Sequence, residues 1–533
     1  MRTIYHNASV YTGKLPLIQA FGVEDDVFFF AGTNTEALKL DANSYIDLQG
    51  AFVCAGFNDS HMHLLNFGQA LTIAPLHQHT YSLEKMLRCL KNTAPGRGGW
   101  ILGRGWNQDY FSDGTRMPNR WDLDEVSSEN PVCAVRACGH ALCVNSRALE
   151  LLGITAETPQ PDGGQIGMED GKPNGIFFDN AMDRVYAALP VPSKEDLKRM
   201  IRAACATLNA YGITSVQSDD YCVFHNVPWQ ELNEAFQELE TAGELTVRIY
   251  EQANFTDAAS LKEFMDAGNI TGIGTDFFRI GPLKMLGDGA LGARTAFLSH
   301  PYADDASTQG ISVFSQQEFD DLISQANAGG MQCAIHCIGD ACLDMVLSSI
   351  EKALIKYPRK DHRHGIVHCQ ITRPEQLQKI ADMGLHVYAQ SIFLDYDIHM
   401  VHQRVGEVLA QTSYSWKTLK KLGATVSNGS DCPVELPDVL SGIQCAVTRT
   451  DLKRSVPAYL PKEAFTVQEA LDSFTAGSAY ASFEENRKGK IQSGMLADFV
   501  VLEYNPFLTE VSSIRDISVL ETCIGGKTVY KKS

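Results

Sequence analysis

The chain has 533 residues, 44% of them hydrophobic and 20% charged, with a formal net charge of −19. That length suits one large domain with additions, or two to three domains, and the acidity argues against nucleic acid or an anionic membrane as a partner. The N-terminus has no apolar secretory segment, no apolar run is long enough to span a bilayer, and the fourteen cysteines form no C-x-x-C pair; a cytoplasmic protein with reduced, mostly buried thiols is expected.

Residues 1–55 alternate short β-rich runs with turns: Thr3–Tyr5, Ser9–Tyr11, Val27–Phe30 and Ser44–Leu48, punctuated by Gly13, Gly32 and Gly50. The C-terminus repeats this style in Gly489–Ile491, Asp498–Leu502, Ile517–Ile524 and Lys527–Tyr530. Segments 1–55 and 489–533 are therefore expected to form one composite β-sandwich domain.

Between them, residues 56–488 alternate strand-like and helical runs, the pattern of a parallel α/β fold. The first strand leads from Ala51–Ala55 into Gly56–Leu64. Seven more follow: Ile213–Gln217, Thr246–Tyr250, Phe278–Met285, Gln332–His336, Gly365–His368, His386–Gln390 and Ala424–Asn428. Helical patterns separate them over Ser193–Tyr211, Gln230–Ala242, Gln316–Ala328, Ala341–Lys356 and Arg373–Met383. Eight strands with intervening helices predict a (β/α)₈ TIM barrel, whose active site gathers at the C-terminal strand ends. The connection after the first strand is far too long for a βα loop, so residues 72–200 are read as an inserted subdomain or lid over the active site.

Chemistry-bearing side chains recur where these strands end. Gly56-Phe57-Asn58-Asp59-Ser60-His61-Met62-His63-Leu64 places two histidines two residues apart, on one face of an extended strand. Lys284 closes the fourth strand, His336 the fifth, His368 the sixth, and Asp431 follows the eighth in Ser427-Asn428-Gly429-Ser430-Asp431. Four imidazoles and a carboxylate converging on one cavity suit Zn²⁺ or another borderline first-row divalent ion. The remaining histidines, His386 and His402 among them, lack such positions and are expected in surface or core roles.

These residues resemble the amidohydrolase superfamily, and within it the YtcJ-like branch that includes N-substituted formamide deformylases. The likeness rests on Gly56–Leu64, Gly103-Arg104-Gly105-Trp106-Asn107, Cys138-Gly139-His140-Ala141, Lys284 through Ala296, His336 with Gly339-Asp340, His368, Ser430-Asp431 and Gly494–Asp498. It implies that His61, His63 and Asp431 hold a buried metal, and that His336 and His368 hold a second ion or help bind a single one. It also implies that Lys284 is carboxylated by CO₂ into a bridging ligand, the alternative being a plain lysine paired with Asp288 or substrate. Asp431 would be the general base and then acid in hydrolysis of a C–N bond in a small amide, N-formyl or N-acyl compound. His140 and Arg294 would steady the carbonyl or an anionic group and Trp106 would shape the pocket wall, unless the three are structural. The competing readings are a deaminase, lactonase or ester hydrolase of the same fold, and a non-catalytic metal-binding protein. The expected partner is a small-molecule substrate, with a homodimer as the candidate assembly. Two departures from the branch stand out: Asp179 where a glutamate is expected, and the amides Asn107 and Gln108 where relatives often carry an acid.

Overall fold

The computed structural model describes residues 1–79, 81–114, 116–137, 141–161, 164–224 and 226–532. Eight parallel strands form the central sheet: β1 (Phe57–Met62), β2 (Ile213–Ser218), β3 (Arg248–Asn254), β4 (Phe278–Leu286), β5 (Cys333–Cys337), β6 (Gly365–His368), β7 (His386–Ala389) and β8 (Thr425–Asn428). Each pairs with the next in sequence order. This is the expected TIM-type barrel, with strands shifted by no more than a few residues from their sequence-predicted spans. Parallel strands covered by helices are buried on both faces, and β1, β2, β5, β6 and β7 are buried along their whole length.

The termini build two further sheets. Four N-terminal strands, Val27–Gly32, Ala20–Glu24, Arg2–His6 and Ser44–Asp47, lie side by side in that order. The second sheet orders Ser9–Val10, Phe52–Ala55, Phe499–Leu502, Val519–Ile524 and Lys527–Lys531, so it draws on both ends of the chain. Tyr5, Phe21 and Phe28 from the first sheet pack with Phe499 and Val501 from the second in one apolar core, with Tyr5 stacked on Phe21 at 4.8 Å. Gly489–Ile491, expected as a strand, is not one. Gly489 turns the chain at φ +91°, and Ile491 enters the core without joining a ladder. Arg248 at the start of β3 bonds Asp498 through Nε at 2.7 Å, and both are 4% exposed.

Residues 65–204 and 223–239 form a separate compact unit. Its six-stranded sheet runs Gly164–Glu169, Lys172–Asp179, Ala141–Val144, Val132–Arg136, Ile101–Trp106 and Ala74–Pro75. Two apolar cores accompany it, one including Leu76, Leu90, Trp106 and Val132, the other Leu142, Val144, Leu149 and Phe177. No helix among the described residues is long and apolar enough to cross a membrane, and every described cysteine is free.

Candidate metal centre

The strand ends bring several of these side chains together. His61 and His63 sit on and just after β1, and Asp431 lies on the turn after β8. One ligand-type atom from each of the three lies within 4.8 Å of the others. Asp431 Oδ1 is 3.4 Å from His61 Nε2 and 3.1 Å from His63 Nε2. His336 and His368 stand beside this trio. Nδ1 of His336 faces Nε2 of His368 at 3.0 Å, and the His61 and His368 rings are 5.8 Å apart.

Each imidazole is oriented from behind. Nδ1 of His61 meets Gln252 Oε1 at 2.7 Å, Nδ1 of His63 meets the Asp219 carbonyl at 3.1 Å, and Nδ1 of His368 meets Gln390 Oε1 at 2.7 Å. In each case a carbonyl-type acceptor takes the Nδ1 proton in a hydrogen bond and turns Nε2 toward the centre. That is the outer shell a metal-ligating histidine requires. His336 is held by its other nitrogen, Nε2, 3.2 Å from the Gly289 carbonyl. The donor set therefore fits a divalent cation.

The backbone joins the two halves of the trio. Asp431 N–H donates to the His61 carbonyl at 2.8 Å, and His63 N–H donates to the Cys432 carbonyl at 2.8 Å. Asp59 adds a clamp. It accepts from Ser430 N–H at 3.0 and 3.1 Å, from Ser430 Oγ at 2.5 Å and from His61 N–H at 3.2 Å. Asp59 is fully buried, and burial lifts its pKa to about 7 despite those donors.

Electrostatics separate the members of the centre. Burial, with the nearby Lys284 charge, holds His61 well below the ordinary imidazole value. Burial and the neighbouring His336 hold His368 at about 3. Burial also opposes charge on His63, but contact with Asp431 outweighs it and brings His63 to about 9. Burial pushes Asp431 upward, and the His63 hydrogen bond with the surrounding imidazoles overrides it, keeping the carboxylate ionised.

Lys284 points into the same region, but its partner differs from the one anticipated. Its ammonium is 3.2 Å from Asp219 Oδ2, with both side chains buried. Asp288 is instead engaged by the N–H groups of Phe297, Ile338 and Gly339. Asp219, at the end of β2, is a site residue that sequence reasoning missed. The signal was present in Ser218-Asp219-Asp220, a carboxylate just past a strand, the same cue that picks out His336 and His368.

The outlying candidates fall elsewhere. Arg294 donates Nε and Nη2 to Asp304 at 3.1 and 2.9 Å, and Arg404 also binds that carboxylate. Its charge is met within its own loop rather than offered to a substrate. Trp106 is fully buried in the apolar core of the 65–204 unit and donates its indole N–H to the Ala134 carbonyl at 2.9 Å. That placement is the structural alternative, not a pocket wall. His140 lies outside the described residues. Asn107 and Gln108 accept from the Arg136 guanidinium at 2.9 Å each, so these amides serve an arginine. Asp179 is exposed at the end of its strand, with φ +47°. His386 is a core residue, bonded to Thr425 and Ser427 at 2.8 Å each.

Comparison with known proteins supplies the frame for this centre. The model of the "Amidohydrolase family" matches residues 44–530. The chain is 34% identical, over all of both sequences, to the "Putative amidohydrolase YtcJ" of Bacillus subtilis (strain 168). It is 27% identical to the "N-substituted formamide deformylase" of Arthrobacter pascens, covering 99% of this chain and 98% of that one. Among solved structures, an uncharacterized metal-dependent hydrolase from Pyrococcus furiosus superposes with a TM-score of 0.79 at 28% identity, covering 95% of this chain and all of that one.

Proposed function

The chain belongs to the amidohydrolase family, and on that premise we propose that this metal-dependent hydrolase cleaves a C–N bond in a small amide, N-formyl or N-acyl compound. The observation that carries the reading is the trio of His61, His63 and Asp431, with one donor atom of each gathered within 4.8 Å at the C-terminal end of a barrel. The formamide deformylase among the relatives supports the choice of bond.

His61, His63 and Asp431 would hold the ion, and His336 and His368 would complete its site or hold a second. Zinc suits this nitrogen-rich donor set. A bound divalent ion lowers the pKa of water to about 7 and polarises a carbonyl. Asp431, ionised at neutral pH, accepts the proton of the attacking water and then delivers it to the leaving nitrogen. Gln252, Gln390 and the Asp219 carbonyl keep the imidazoles aimed while that happens. Carboxylation of Lys284 would add an anionic ligand and favour two ions. The Asp219 contact supports a second reading of that position, in which Lys284 remains an ammonium and one ion is bound.

Screening the zinc-loaded enzyme against N-formyl and N-acyl amines tests the bond assignment, with esters, lactones and amino-substituted heterocycles as the competing panel. Turnover confined to the competing panel would reject the C–N reading. Metal stoichiometry of the same preparation separates the two states of Lys284.

A further inference from the structure

Away from the metal centre, a cleft of about 370 Å³ opens beside the start of β8, lined by Lys420, Lys490, Thr425, Asp472, Tyr480 and Gly13 among others. Lys420 lies in the last turn of the helix Trp416–Leu422, and Lys490 lies in the segment returning to the C-terminal strands. We propose that this cleft binds a small organic oxyanion, a phosphate or carboxylate carried on a metabolite-sized molecule, between the Lys420 and Lys490 ammonium groups.

Nearby charges are matched: Lys417 with Glu469, and Arg363 with both Asp361 and Glu485. Among the described residues, neither Lys420 nor Lys490 has a carboxylate oxygen within ion-pair distance, 4.0 Å. Asp472 faces both, but it is a single carboxylate against two ammonium groups, and its Oδ1 already accepts the Tyr11 hydroxyl at 2.7 Å. Lys420 is more than half buried, and burial outweighs the attraction of Glu469 and Asp472 and lowers its pKa; its ammonium also lies 5.7 Å from the Phe465 ring centroid.

Backbone geometry sets the second ammonium. Gly13 has φ +92°, and a Cβ there would come within 3.0 Å of Lys490 Cγ, so the absent side chain lets the lysine stem lie against this loop. Thr425 and Tyr480 also line the cleft. The cleft is of ligand size rather than ion size, which is why the oxyanion is placed on a larger molecule.

Calorimetric titration of the full-length, metal-loaded protein tests this, with inorganic phosphate in one arm and succinate in the other to distinguish the two oxyanions. Saturable binding of at least one is expected. Lys420→Met and Lys490→Met keep the stems that pack while removing the charges, and each should weaken binding about tenfold or more. Asp472→Asn should act in the opposite direction and tighten it, because it removes a carboxylate that faces both lysines and leaves an amide oxygen for Tyr11. Absence of saturable binding in both arms overturns the proposal. So does binding that survives the paired Lys420→Met and Lys490→Met substitutions, since such binding would belong to the metal centre. The amide hydrolysis rate should be unchanged in all these variants, which separates failure of this site from failure of the hydrolase reading.

Discussion

At the residue scale, the metal centre divides labour by burial. His63 is the imidazole that Asp431 holds charged, with a pKa raised to about 9. In metal-free protein its contribution to stability is complete below the ordinary imidazole pKa of about 6.5 and is lost as pH rises through about 9. The loss is roughly 3 kcal/mol. Denaturant unfolding of chelated protein at pH 6.5 and 9.5 should show it as a difference between wild type and His63→Gln that shrinks at the higher pH; an equal difference at both pH values would refute the pairing. Asp431→Asn keeps the shape but removes the proton acceptor. It should lower kcat/KM by about 10²- to 10⁴-fold with an unchanged circular dichroism spectrum. Five imidazole or carboxylate residues and Lys284 were legible from the sequence because each closes an apolar run. Asp219 escapes the pattern because the β-rich run Ile213–Gln217 ends before it. For Arg294 and Trp106 the sequence leaves a substrate role and a structural one open, because a motif fixes neither a side chain's partner nor its burial; in the structure Asp304 and the Ala134 carbonyl take them up.

At the element scale, β1 and the β8 turn form one unit through Asp59. Asp59→Asn exchanges a charged acceptor of four hydrogen bonds for an amide. The turn carrying Asp431 should loosen, and metal affinity should fall about 10- to 100-fold, as for outer-shell changes generally. Competition with a chromophoric chelator measures it, and unchanged affinity would show that the backbone bonds alone hold the turn. The barrel strands were visible because β-rich runs alternate with helical ones along residues 56–488, although Phe57–Met62 and Ile213–Ser218 carry several polar residues. The strand Ala20–Glu24 was not, because Gly22 interrupts its pattern. A Cβ at Gly22 would come to 2.6 Å from the Phe29 ring, so the glycine is there for close packing inside the strand.

At the scale of the whole molecule, the terminal sheets are tied to the barrel by the buried Arg248–Asp498 pair. Removing one partner strands a buried charge at a cost of about 3–5 kcal/mol. Asp498→Ala should therefore lower unfolding free energy by that amount, and Arg248→Met combined with Asp498→Leu should recover most of it. A double variant as unstable as the single would deny the pairing. That both termini share one sheet was foreshadowed by their common strand style. The sheet of the 65–204 unit was not resolved into its strand order, since sequence pattern does not determine how strands from one long insertion pair. The central claim is that the strand ends of this barrel hold a catalytic divalent metal, and elemental analysis of purified protein beside a His61→Ala, His63→Ala variant tests it most directly. The account predicts at least one equivalent of a first-row divalent ion in the wild type and its loss in the variant; wild-type protein with its ligands intact and no such ion bound would contradict it.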